Sequence, residues 1–274
     1  MNARFHRRRN RMKKLFGYAM LISALMFIAV GYATADLAEG LVLYFTFDNV
    51  KGKTIVDDSG NGLDADIIAN TDIVKGKYGD AIRITGIGAD CVNVPASDDL
   101  KITGEITMAA WINQDSWGTD AQWFDKNCHN GGEHSSYGIG AFNSGQNFNM
   151  FLGTGNSRPT LSQPHGLDEK TWYHVVGTYD GTTMKVYVDG EVAAEKDEKF
   201  DFKGTNDQDL RIGCSKDRPN YTFENGSIDE AAVWRRALSD AEIQEIMNEG
   251  FLAVSARDKA TTTWGSIKSR TGTY

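Results

Sequence analysis

Residues 172–194 read WYHVVGTYDGTTMKVYVDGEVAA. β-Branched and aromatic residues run to Tyr179, Asp180-Gly181 interrupts them, and Met184, Val186 and Val188 then alternate with Lys185 and Tyr187 up to a second pair, Asp189-Gly190. A period of two is that of a strand, and Asp-Gly favours the positive φ angles of tight hairpin turns, so the stretch reads as an antiparallel meander. Similar short runs lie on both sides: LVLYFTF (41–47), AIRI (81–84), CVNV (91–94), ITMAAWIN (106–113), YGIGAF (137–142) and FNMFL (148–152). Asn61-Gly62, inside the turn-rich DDSGNGLDAD (57–66), adds a hairpin signal. One helix is predicted, over Leu238–Met247. Ser239 caps it with Glu242 three residues on, Leu238 and Ile243 make a hydrophobic staple, and Gly250 ends it. Many strands and one helix predict an all-β, two-sheet antiparallel sandwich in which the first and last strands pair, since otherwise both would leave long edges.

The ends of the chain differ from this middle. Arg4 to Lys14 is basic, Leu15 to Tyr32 is apolar and uncharged, and Ala33-Thr34-Ala35 supplies small residues for cleavage. This is the pattern of a signal peptide, with a membrane anchor as the alternative. The division expected is 1–35 signal peptide, 36–250 folded domain, and 251–274 a Thr-, Ser- and Lys-rich extension. Seven of the 29 Lys and Arg lie in the leader and none of the 37 Asp and Glu, so the remainder has a formal charge of −15. An acidic chain without a basic patch is a poor partner for nucleic acid, and no apolar stretch after the leader reaches membrane-spanning length. The address read from this is secreted, periplasmic or cell-surface.

LVLYFTFDN, DDSGNG, GDAIRITG with CVNVPASDDL, ITMAAWIN, TWYHVVGTYDGTTMKVYVDGE and GSIDEAAVWRRALSDAEI follow one another in an order that resembles LamG-like jelly-roll domains of the concanavalin A-like lectin/glucanase superfamily, over about residues 40–250. The resemblance implies a jelly roll of two antiparallel sheets and a role in sugar binding, adhesion or protein contact; fold alone does not choose among these. It also implies a structural calcium between the first and last strands, at Asp48 and Asp229. Period two in GSIDEAAVW places Asp229 with Ala231 and Val233, an apolar row where a carboxylate needs a partner. A salt bridge to Arg235 or Arg83 is the alternative to calcium. The Glu-x-Asp-x-x-Glu cluster of superfamily glucanases is absent from the sequence, which argues against an enzyme.

The expected function is a non-catalytic recognition module whose partner is a glycan or an extracellular protein. Loops are expected to carry the site. Trp117 and Trp123 offer flat apolar faces to sugar rings, Asp125, Asn127 and His129 follow with polar groups, and Arg218 and Tyr221 come from a second loop. The alternative for Trp123 is a place in the core. Of three cysteines, Cys128 and Cys214 each end an expected strand and open into a polar loop, so a disulfide between them is expected to bring the two loops to one rim. Cys91 is expected to be a buried free thiol; three free thiols are the alternative. His129 and His134 after Cys128 lack the spacing of a zinc site.

Overall fold

The computed structural model describes residues 36–85, 90–117, 120–126, 136–215 and 225–250. Among these the strands are, in chain order, β1 (Leu41–Phe45), β2 (Val50–Lys51), β3 (Thr54–Ile55), β4 (Ala65–Ile68), β5 (Asp72–Lys75), β6 (Asp80–Ile84) and β7 (Cys91–Val94). Then follow β8 (Ile102–Thr103), β9 (Ile106–Gln114), β10 (Ala121–Asp125), β11 (Tyr137–Phe142), β12 (Asn147–Leu152) and β13 (Thr160–Pro164). The last are β14 (Trp172–Tyr179), β15 (Thr183–Val188), β16 (Glu191–Asp197), β17 (Lys203–Gly204), β18 (Leu210–Ile212) and β19 (Gly226–Trp234), with one α-helix, α1 (Asp240–Glu249).

Two antiparallel sheets carry the fold. One has the order β16-β15-β14-β9-β19-β6-β5, with β1 also paired to β19; the other has the order β13-β12-β11-β10-β18-β7-β4-β3-β2. The meander is the β14–β15–β16 edge of the first sheet. Its Asp189-Gly190 turn has φ of 48° and 77°, the positive pair a two-residue hairpin needs. β1 and β19 pair as expected. Asn61-Gly62 is not a tight hairpin. The longer β3–β4 connection is organised by Asp57, whose carboxylate accepts N–H bonds from Tyr44, Ser59 and Leu63.

The inner faces of the sheets form one core, with Ile106, Met108, Ala110 and Ile112 of β9 on one side and Phe124, Ile139, Met150 and Ile212 on the other. The first sheet is also apolar on its outer face. Tyr44, Ala109, Val176, Tyr187, Ala232 and Trp234 pack there against Leu238, Ile243 and Ile246 of the helix segment. The helix has the expected capping box, with Ser239 and Glu242 bonded reciprocally. Such a helix buries a second apolar stripe, and among the described residues no helix covers the outer face of the other sheet.

β19 departs from simple alternation. A bulge shifts its register against β9 between Asp229 and Ala232, with Glu230 at φ 51°. Asp229 pairs with Trp111, while Ile228 and Val233 pair with the core residues Ile112 and Met108. The extra residue therefore moves Asp229 to the helix side, away from Ala231 and Val233, with which period two had placed it.

Candidate functional site

The nine-stranded sheet has a different outer face. Along β4, β7 and β18, Ala65, Ile67, Val92, Val94, Leu210 and Ile212 enter the core, so Asp66, Asn93 and Arg211 point outward. The register puts these side by side: Thr54 opposite Asp66, Asp66 opposite Asn93, Asn93 opposite Arg211, and Arg211 opposite Asp125. The row continues through Gly138, Phe151 and Thr160. One residue from each of eight strands thus forms a single line across the sheet, and cross-strand partners share a face. A parallel line, Gln122, Gly140, Asn149 and Ser162, lies beside it. Gly138 is required where it stands, because a Cβ there would collide with the Phe151 ring and the Phe124 carbonyl.

Arg211 is the charged centre of the row. Its guanidinium lies 3.8 Å from Asp209 and 3.8 Å from the Cys91 sulfur. Burial pulls its pKa down, and the Asp209 and Asp125 carboxylates push it back up. Arg211 Nε and the neighbouring Asn93 Oδ1 are both buried without a hydrogen-bond partner. Asp66, next along, is exposed, whereas Asp125 is fully buried behind Arg211. Phe151 is covered by Arg158, 5.3 Å from its ring.

The residues expected from sequence are distributed differently from the expectation. Trp123 is 0% exposed and packs edge-on against Phe148, so it belongs to the core and offers no face to a ligand. Trp117 is half-buried, with its indole 4.6 Å from the His165 ring. Asp125 is in the row. Asn127, His129, Arg218 and Tyr221 lie outside the described residues, as do the leader and the C-terminal extension.

The disulfide expectation is corrected. Cys214 pairs with Cys91, at a Cα separation of 5.6 Å. β7 and β18 are antiparallel with Val92 opposite Ile212, so Cys91, one residue beyond that pair, and Cys214, two beyond it, lie at the same end. β10 also runs antiparallel to β18, with Asp125 opposite Arg211. Lys126 is therefore level with Leu210, about 13 Å along the strand from Cys214. The chain that continues to Cys128 leaves the sheet at the opposite end from Cys214, and Cys128 itself lies outside the described residues. The loops that follow Lys126 and Ser215 thus start from different rims. Sequence reasoning also passed over Lys126, which is fully buried at the first of these rims and donates to the Asn206 carbonyl at 2.6 Å. Burial lowers its pKa to about 8.

Asp48 and Asp229 each bond to the turn between β5 and β6. Asp229 accepts N–H bonds from Tyr78 (2.9 Å) and Glu230 (2.8 Å), and Asp48 accepts from Asp80 (2.7 Å). Neither is paired with Arg235, which reaches Asp99, or with Arg83, which reaches Asp115. Calcium needs six or more oxygens. Among the described residues no three acidic, His or Cys side chains gather to hold an ion. Both carboxylates are engaged by backbone donors and anchor the turn.

Two stacked antiparallel sheets, one sealed by a helix and the other carrying a polar row, define a jelly-roll domain. The chain belongs to the concanavalin A-like lectin/glucanases superfamily, whose laminin G family model matches residues 87–244. Curated protein sequences give no match. Among solved structures, the binding domain of Paraclostridial Mosquitocidal Protein 1 is 16% identical, with a TM-score of 0.62 over 78% of this chain and 53% of that one. Domain 4 of AbnA, a GH43 extracellular arabinanase from Geobacillus stearothermophilus, solved in complex with arabinotriose, is 18% identical, with a TM-score of 0.59 over 76% of this chain and 98% of that one. The ligand-binding domain of botulinum neurotoxin serotype D, solved with N-acetylneuraminic acid, is 16% identical, with a TM-score of 0.60 over 78% and 52%. At these identities the likeness is one of fold, and this chain spans about half the length of the two toxin domains.

Proposed function

We propose that the protein is an exported, non-catalytic carbohydrate-recognition module that binds its ligand on the outer face of the nine-stranded sheet. The observation that carries this reading is the line of Asp66, Asn93 and Arg211, continuous across adjacent strands on the face without a helix. Sugar recognition needs convergent polar groups held on a rigid scaffold, and a sheet holds side chains more tightly than loops do. The glycan complexes of two fold neighbours support the choice of ligand class. Trp117 and the residues Arg218 and Tyr221 are proposed as contributors from the surrounding loops, and the leader as the export signal.

A glycan array followed by calorimetry tests the proposal. Asn93→Ala should weaken binding about tenfold, the scale of one lost directional hydrogen bond. Lys185→Ala, on the other sheet, should leave it unchanged. An empty array alongside capture of a defined extracellular protein would replace the lectin reading with adhesion. Release of reducing sugar from a polysaccharide would replace both with an enzyme.

A further inference from the structure

We propose that Lys126 and Asn206 join in an isopeptide bond, a covalent tie between the end of β10 and the segment that leads into β18.

Lys126 follows β10 and is fully buried. Its Nζ donates to two oxygens of one residue, the Asn206 side-chain Oδ1 at 2.5 Å and the Asn206 backbone carbonyl at 2.6 Å. The amide is held in return. Its Nδ2 donates to the Lys126 carbonyl at 3.1 Å, and its Oδ1 also accepts from the Gln208 N–H at 3.4 Å. Among the described residues no carboxylate forms a salt bridge with Lys126. Of the two acids whose charge it feels, Asp207 is bridged to Lys101 at 2.7 Å and Asp209 faces Arg211 at 3.8 Å. A buried lysine ordinarily keeps its charge by pairing with a carboxylate, and this one meets an amide instead.

Such a contact suits acylation of the amine. Desolvation and the Lys101 charge lower the Lys126 pKa to about 8, against the pull of Asp207 and Asp209. At pH 7 about a tenth of the amine is therefore neutral and nucleophilic. Asn206 Cγ lies one bond, about 1.2 Å, beyond Oδ1, which puts it within about 3.7 Å of Nζ. That is close to the separation of about 3–3.5 Å at which reacting groups behave as one molecule. The Cβ–Cγ torsion of asparagine is soft, so a turn about it presents the amide face to the amine. The Gln208 N–H is placed to stabilise charge on Oδ1 as the nitrogen adds.

The step balances within the protein. The lone pair of the neutral amine forms the Nζ–Cγ bond, and the Cγ–Nδ2 bond breaks with its electron pair going to nitrogen. One amine proton passes to that nitrogen, and ammonia departs through the partly exposed Asn206 side. No oxidant, reductant or cofactor takes part. The product would tie β18 to β10 at one rim, while the Cys91–Cys214 disulfide ties β18 to β7 at the other. β18 has only three residues, Leu210–Ile212, and its middle one, Arg211, stands in the polar row. Unlike the disulfide, the amide is indifferent to reducing agents.

The experiment is intact mass and tryptic mapping of the full chain, purified folded and then reduced. The expected mass is about 17 Da below that calculated for the reduced chain, the loss of one ammonia. Trypsin should fail to cut after Lys126, and one branched peptide should join that lysine to residues 204–211. Lys126→Met and Asn206→Ala should each restore the calculated mass. Asn206→Asp should lose water in place of ammonia, about 18 Da, and end in the same branched peptide. The map of the parent chain decides the matter even where a variant fails to fold. The calculated mass together with cleavage after Lys126 would overturn the inference. So would a loss of about 17 Da confined to residues 204–211 with Lys126 still cleaved, since that is a succinimide at Asn206-Asp207.

Discussion

Asp229 is a fully buried carboxylate whose pKa is pushed up to about 7, first by loss of solvent and further by the adjacent Glu230, against the pull of the Tyr78 N–H. The folded protein thus keeps a proton that the unfolded chain has already released above 3.8. The residue costs nothing below that value, and its cost grows until the pH passes 7. His174 works in the opposite sense. Burial and the nearby Lys77 charge lower its pKa to about 3, so protonation of the unfolded chain drains stability as the pH falls below 6.5. In Asp229→Asn only the first contribution disappears. Urea unfolding at pH 5 and pH 8 should therefore show a smaller loss, or a larger gain, of stability toward pH 8 than the parent shows. An identical difference in both proteins would mean that Asp229 titrates normally.

Two elements carry tests of the sequence reading. The first is the β5–β6 turn, held by Asp48 and Asp229 through backbone N–H groups. Its melting temperature should be the same with calcium and with a chelator. A rise with calcium that is lost in Asp48→Ala would establish the metal site, since a ligand of the folded state stabilises by mass action. The second is the β7–β18 pair with its disulfide. Cys91→Ser should lower stability by about 2–5 kcal/mol, the usual range for a lost native disulfide, while Cys128→Ser should leave it within about 0.5 kcal/mol. Equal effects of the two variants on unfolding midpoints would contradict the pairing. Neither feature could be read beforehand. The phase of Asp229 depends on a bulge at Glu230 that no Gly announces, and the partner of Cys214 depends on strand order, which alternation within a strand does not encode.

At the scale of the whole molecule, the signals that could be read were local. The meander, the capping box and the pairing of first and last strands were all legible, because turn chemistry and periodicity act within a few residues. The face that carries the candidate site was half legible. CVNV and LRI show that Asn93 and Arg211 point away from the core, but only the assembled register shows that they are neighbours. Trp123 misled for a related reason: a tryptophan that closes the polar run GTDAQ looks like a loop platform until its strand is seen inside the sandwich.

The polar row draws Thr54, Asp66, Asn93, Asp125, Thr160 and Arg211 from points spread over most of the folded chain. No excised hairpin contains two adjacent members of its Asn93–Arg211–Asp125 centre, and a one-residue slip of any of those strands would turn a member inward. Affinity is therefore not graded with the amount of structure. Proteolytic fragments and partly folded forms should have none of it, and during refolding the capacity to hold a ligand should appear in a single step, when β18 closes between β7 and β10.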